Sequence, residues 1–150
     1  MALWLASRYN KVQTDGIGNT LLIPIWSVIS LAGVLDLRKM WEIHDEKGMS
    51  SPVASFIGGT PQEVSERYSL ASPIELLPLN VEQIVIHGEL DRHVPVHLSI
   101  EYHRRAIEQG DKVRLVVLLD VEHFMVIDPS SSAWKSVTDS LETLKVSSCS

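Results

Sequence analysis

The stretch that most constrains this chain is Ile84–Pro95, which reads Ile-Val-Ile-His-Gly-Glu-Leu-Asp-Arg-His-Val-Pro. Three consecutive β-branched residues predict a strand, and Gly88 lets that strand turn sharply without a Cβ in the way. Asp91 follows in the loop, and Pro95 offers a pre-set φ for the first turn of a helix. The unit is strand, loop, helix, with a carboxylate just past the strand's carboxyl end, where open α/β sheets keep their chemistry. A second such loop follows Val113–Leu119, as Asp120-Val-Glu-His123-Phe124. One helix separates the two strands, so Asp91 and His123 are expected at the same edge of neighbouring strands. An Asp and a His placed together make two-thirds of a hydrolytic triad.

The totals narrow the choices. A chain of 150 residues, 45% hydrophobic and 21% charged, suits one globular unit with a sizeable core. A net charge of −6 and no basic stripe argue against nucleic acid as a partner. The longest apolar run, Leu21–Val34, is broken by Pro24 and too short for a membrane span. No basic flank followed by a long apolar core marks a secretory signal. The lone Cys149 allows no internal disulfide, and no Asn-x-Ser/Thr site occurs. A cytoplasmic protein is expected.

Taken in order, Met1–Tyr9 reads as a helix whose first N–H groups have no capping side chain before them. Asn10–Thr20 is expected to be a polar loop. Its Gly16-Ile17-Gly18 is no nucleotide fingerprint, because no strand precedes it and the third glycine is missing. Ile25–Leu31 is a buried strand and Val34–Asp45 a helix, with Asp36 between them as an N-cap or turn residue. Thr60-Pro-Gln-Glu63 is a capping box that predicts a short helix from Pro61, and Ser72-Pro-Ile-Glu75 predicts another through Leu77. Gly48–Leu79, with no convincing strand, is expected to be an irregular helical insert lying over the strand ends. Pro95–Gln109 is a helix stopped by Gly110. Ala133–Lys145 is the last helix, with Trp134, Val137, Leu141 and Leu144 on one face and Asp128 and the serines before it as caps. Val146–Ser150 should fray. Three parallel strands in a three-layer αβα arrangement are the predicted fold.

His93-x-x-x-His97 has an i, i+4 spacing, but His93 precedes the helix and no cysteine or glutamate completes a ligand set, so no metal site is expected. His87 reads as strand-end packing, His44 as a solvated helix end, and Trp4, Trp26, Trp41 and Trp134 as core or interface packing.

The His87-Gly-Glu-Leu-Asp91-Arg-His-Val-Pro95 segment resembles the acid loop of the α/β-hydrolase family, and Val121-Glu-His123-Phe-Met-Val-Ile-Asp-Pro129 resembles its histidine loop. Ser30-Leu-Ala-Gly-Val-Leu-Asp-Leu37 and Arg67-Tyr-Ser-Leu-Ala-Ser-Pro-Ile-Glu-Leu-Leu-Pro78 resemble its small-esterase, arylformamidase-like and prolyl-oligopeptidase-like branch. The resemblance implies that Asp91 and His123 are triad acid and base, that no cofactor is used, and that the substrate is a small ester or amide. It also implies that Met1–Arg8 is the helix following a Gly-x-Ser-x-Gly elbow. No such elbow occurs in these 150 residues. The expectation is therefore a single partial domain over residues 1–150, the carboxyl-terminal half of a serine hydrolase and nearly inert alone. The alternative is a non-catalytic remnant that binds a partner. In the family's strand order Ile25–Leu31 would pair with the nucleophile strand, so its bare edge should drive aggregation or edge-to-edge dimers.

Overall fold

The structure, a computed structural model, describes residues 1–15 and 25–147, with side chains for 1–8 and 25–144. Helices α1 (Ala2–Asp15), α2 (Leu37–Glu46), α3 (Pro52–Ile57), α4 (Ser65–Ala71), α5 (His97–Glu108) and α6 (Trp134–Ser147) surround strands β1 (Ser27–Leu31), β2 (Glu82–Gly88) and β3 (Val113–Leu118). The sheet is parallel with order β1-β2-β3, in the registers Ile29 with Ile84 and Ile86 with Val116.

The central strand explains the layers. From Gln83 to Gly88 every residue of β2 is buried, whereas β1 and β3 are mostly half-exposed edges. A strand covered on both faces must be apolar almost throughout, and Ile84-Val-Ile86 meets that demand. Val85 packs beneath α1 and α5, against Leu3, Ala6, Tyr102 and Ala106. Ile84 and Ile86 face the other way, onto Val137, Trp134 and Leu144 of α6. The result is the three-layer αβα arrangement read from the sequence.

Several boundaries differ from expectation. Helix α1 continues through Asn10–Asp15, where a polar loop was expected, because neither glycine nor proline interrupts it before Gly16. The Gly16-Ile17-Gly18 loop lies outside the described residues, as do Ser148–Ser150; Val146 and Ser147 remain helical. On α6, Trp134, Val137 and Leu144 reach the sheet, but Leu141 is exposed. Trp26, just ahead of β1, is also exposed rather than packed in the core.

The region Gly48–Leu79 is helical and irregular, as read, but its helices fall elsewhere. Ser51 caps α3, with Pro52 at the first helical position and Gly58 closing it at φ 86°. The Ser51-Pro52…Gly58 pattern in the sequence is the local signal for this helix. The Thr60–Glu63 box forms both reciprocal bonds, Thr60 N to Glu63 Oε2 at 2.8 Å and Glu63 N to Thr60 Oγ1 at 3.3 Å. It caps only a turn, and α4 begins at Ser65. Pro73–Glu75 is a 3-10 turn. Arg38 ties the insert together, reaching Glu75, Ser65 and Ser69 from α2.

Candidate active site

The loops after β2 and β3 cross at a point of very close approach. A Cβ on Gly88 would collide with the carbonyl oxygen of Val121, which accepts the Leu90 N–H at 3.0 Å. Asp120 takes the left-handed φ of 57°, a conformation Asp tolerates better than most residues, and this turns the chain back from β3 over Gly88. The crossing delivers His123, at the start of a 3-10 turn (His123–Ile127), to the Asp91 loop.

Asp91 is held at both carboxylate oxygens. Its Oδ1 accepts the amides of His93 and Val94, both at 2.8 Å. Its Oδ2 accepts from His123 Nδ1 at 2.6 Å. The carboxylate side chain is wholly buried, while the His123 ring keeps about a quarter of its surface open. Burial alone would disfavour the charged carboxylate. The amide of Val94, the His123 imidazole and the amide of His93 outweigh it and hold the carboxyl below its ordinary range. With Nδ1 committed to Asp91, the other ring nitrogen, Nε2, makes no hydrogen bond among the described residues. That is the arrangement in which an imidazole takes a proton from a neighbouring hydroxyl. The structure thus brings together the two residues singled out from the sequence.

Other residues join them. His93 lies with its ring centre 5.2 Å from that of His123 and 5.1 Å from that of Phe124, and Phe124 sits edge-on to His123 at 4.9 Å. His93 is therefore beside the dyad rather than on the α5 face with His97. Among the described residues no group of three or more metal-ligating side chains comes together. His44, half-buried, bonds Ser51 at 3.2 Å and so joins α2 to the α3 cap, while Asp45, Glu46 and Lys47 after it are exposed, as a solvated helix end should be. Asp36 is the N-cap of α2, accepting the Lys39 amide at 2.9 Å. Two residues near Asp91 had not been read as polar partners: His87 and Ser99, both fully buried and bonded to each other at 2.6 Å. The available signal was Ser99 itself, a hydroxyl on the buried Leu98–Tyr102–Ala106 face of α5, where it needs a partner.

The fold has counterparts among solved structures. No curated protein matches the chain in sequence. Among solved structures, a truncated carbohydrate esterase from gut microbiota superposes with TM-score 0.67 at 22% identity, over 86% of this chain and 46% of its own. A thermophilic esterase from the planctomycete Thermogutta terrifontis gives 0.60 at 14% identity, over 83% and 42%. A bifunctional GH43-CE protein of Bacteroides eggerthii gives 0.65 at 23%, over 95% and 22%. The chain spans less than half the length of each. The BD-FAE family profile matches residues 9–105, a span that includes Asp91. By that match, and with the fold those structures share, the chain belongs to the BD-FAE family of α/β-hydrolase-type esterase domains.

Proposed function

We propose that these residues supply the acid and base of a serine-type ester or amide hydrolase, Asp91 and His123, and that the nucleophile comes from outside the 150 residues. The observation that carries this reading is the 2.6 Å bond between His123 Nδ1 and the buried Asp91 Oδ2, with about a quarter of the His123 side chain open to solvent. In the complete enzyme His123 Nε2 takes the proton of a serine hydroxyl as its oxygen bonds the carbonyl carbon, then returns it to the leaving group. Asp91 keeps the tautomer and steadies the imidazolium. The esterase and the carbohydrate esterase among the similar structures support an ester substrate; two peptidases similar in fold, dipeptidyl peptidase 4 of Porphyromonas gingivalis and the acylaminoacyl peptidase of Pyrococcus horikoshii, keep amides within the class. No Gly-x-Ser-x-Gly occurs in the sequence, and loss of the nucleophile costs such enzymes about a million-fold in rate. That same lack favours a second reading, a binding protein that kept the fold without the chemistry.

The test pairs the 5′ end of the transcript with p-nitrophenyl acetate hydrolysis. An in-frame Gly-x-Ser-x-Gly upstream of Met1 is expected, with turnover by the longer product that His123→Ala reduces by about 10⁴-fold or more. The 150-residue chain alone should show none. A transcript beginning at Met1, with no turnover by its product, overturns the hydrolase reading and leaves the non-catalytic one; serine-dependent turnover by the 150-residue chain alone overturns the claim that the nucleophile lies outside it.

A further inference from the structure

The His87 ring is fully buried beside Asp91, and the hydrolytic mechanism leaves it unused. Its Nε2 is 3.1 Å from Asp91 Oδ2 and 2.8 Å from the carbonyl oxygen of Val94; its Nδ1 is 2.6 Å from Ser99 Oγ. Both groups facing Nε2 are acceptors, so that nitrogen carries the hydrogen and shares it between them. With that hydrogen on Nε2 alone, Nδ1 is the acceptor and the Ser99 hydroxyl donates to it. The Val94 amide meanwhile donates to the other carboxylate oxygen, Oδ1. Asp91 and the Val94 peptide are thereby clamped into one closed ring of hydrogen bonds through His87.

We propose that His87, with its tautomer fixed by Ser99, is a positioning residue that sets the rotation of the Asp91 carboxylate and so the alignment of Oδ2 on His123 Nδ1. Strand-end packing alone does not require a polar ring here. A fully buried side chain of that size could be phenylalanine or leucine, without two ring nitrogens to satisfy. The carboxylate oxygen that carries the His123 bond is the same one that His87 touches, so rotation of Asp91 cannot change one contact without the other. Tyr102, the next inward residue of α5 after Ser99, instead donates to Gln83 at 2.7 Å, so the relay ends at Ser99.

The inference rests on the reading of Asp91 and His123 as acid and base, and its test needs no turnover. Histidine-selective ¹⁵N labelling of the 150-residue chain reports the His123 Nδ1–H proton, its low-field resonance and its exchange with water. In the parent that proton should be resolved and slow to exchange. His87→Phe, which keeps the volume and removes both ring nitrogens, should speed its exchange by about tenfold or more, the equivalent of one charge-assisted hydrogen bond. His87→Gln, whose amide can still donate toward Oδ2, should restore most of the protection. Ser99→Ala should raise exchange less and broaden the His87 tautomer signals. A folded His87→Phe chain with parental exchange overturns the proposal. A Ser99→Ala chain with parental exchange and an unchanged His87 tautomer overturns it whether or not His87→Phe folds. A parent without any protected Nδ1–H fails at a different point, the Asp91–His123 pairing itself.

Discussion

Gly88 and Asp91 show how little freedom the site leaves its residues. At Gly88 a side chain of any size meets backbone, the Val121 carbonyl, rather than a side chain that could move aside. Gly88→Ala is therefore expected to lower stability by about 1–3 kcal/mol and to shift the His123 loop, read as a lower denaturant midpoint with an unchanged slope. Asp91 carries a charge in a buried setting and relies on donors for it. Its folded carboxyl lies below its unfolded value of roughly 4, so its stabilisation is complete above that pH and drains away as pH falls through the lower folded value. Asp91→Asn should cost about 3 kcal/mol at neutral pH, and the gap between variant and parent should narrow as the medium is acidified below about pH 4. A gap that stays constant from neutral to acid pH would contradict the assignment of a charged, well-partnered carboxylate.

Individual elements are held by polar anchors at their ends as much as by apolar faces. Asp111, buried in the turn between α5 and β3, accepts the Leu79 and Asn80 amides at 2.7 Å each, fixing the approach to β2. Asp111→Ala leaves two inward amides without that partner and should cost about 2–3 kcal/mol, with unfolding still cooperative. Asp36→Ala removes the α2 cap and should cost about 1 kcal/mol by thermal or denaturant unfolding. These anchors differ in how visible they are. Asp36, one residue before an amphipathic run, is readable as a cap. Asp111 bonds across the fold, to residues 31 and 32 positions away, and no local pattern announces that. The same contrast explains the insert: Ser51-Pro52 and Thr60-Pro61 look alike, yet only the first starts a helix. Val53 and Ile57 of α3 find buried places beside Met40 and Tyr68, whereas the turn after Pro61 passes directly into α4.

For the whole molecule the decisive feature is the edge of the sheet. Among the described residues β1 is paired on one side only, with β2, and its neighbourhood is apolar: Ile29 and Leu31 within the strand, Val34 and Leu35 just beyond it, and Leu3 of α1 beside them. Unpaired strand groups beside apolar surface recruit further strands. The 150-residue chain is expected to self-associate with rising concentration. Light scattering that finds a monodisperse monomer with cooperative unfolding would contradict this.

Most of the αβα layering follows from local sequence. The β-branched run Ile84-Val-Ile86 needs cover on both faces, and the helical repeats on either side provide it, whatever the details of packing. The two loops with Asp91 and His123 were legible for the same reason: each follows a strand, and parallel strands put such loops at one edge. What only the tertiary structure decided are the contacts made across those loops. Gly88 is obligatory because Val121 passes over it, His93 lies beside the dyad because its loop folds toward Phe124, and His87 turns inward because Ser99 and Val94 O wait on α5 and the loop before it. Each of these depends on pairing residues from separate elements, whose meeting is fixed by the packed core and by no periodicity along the chain.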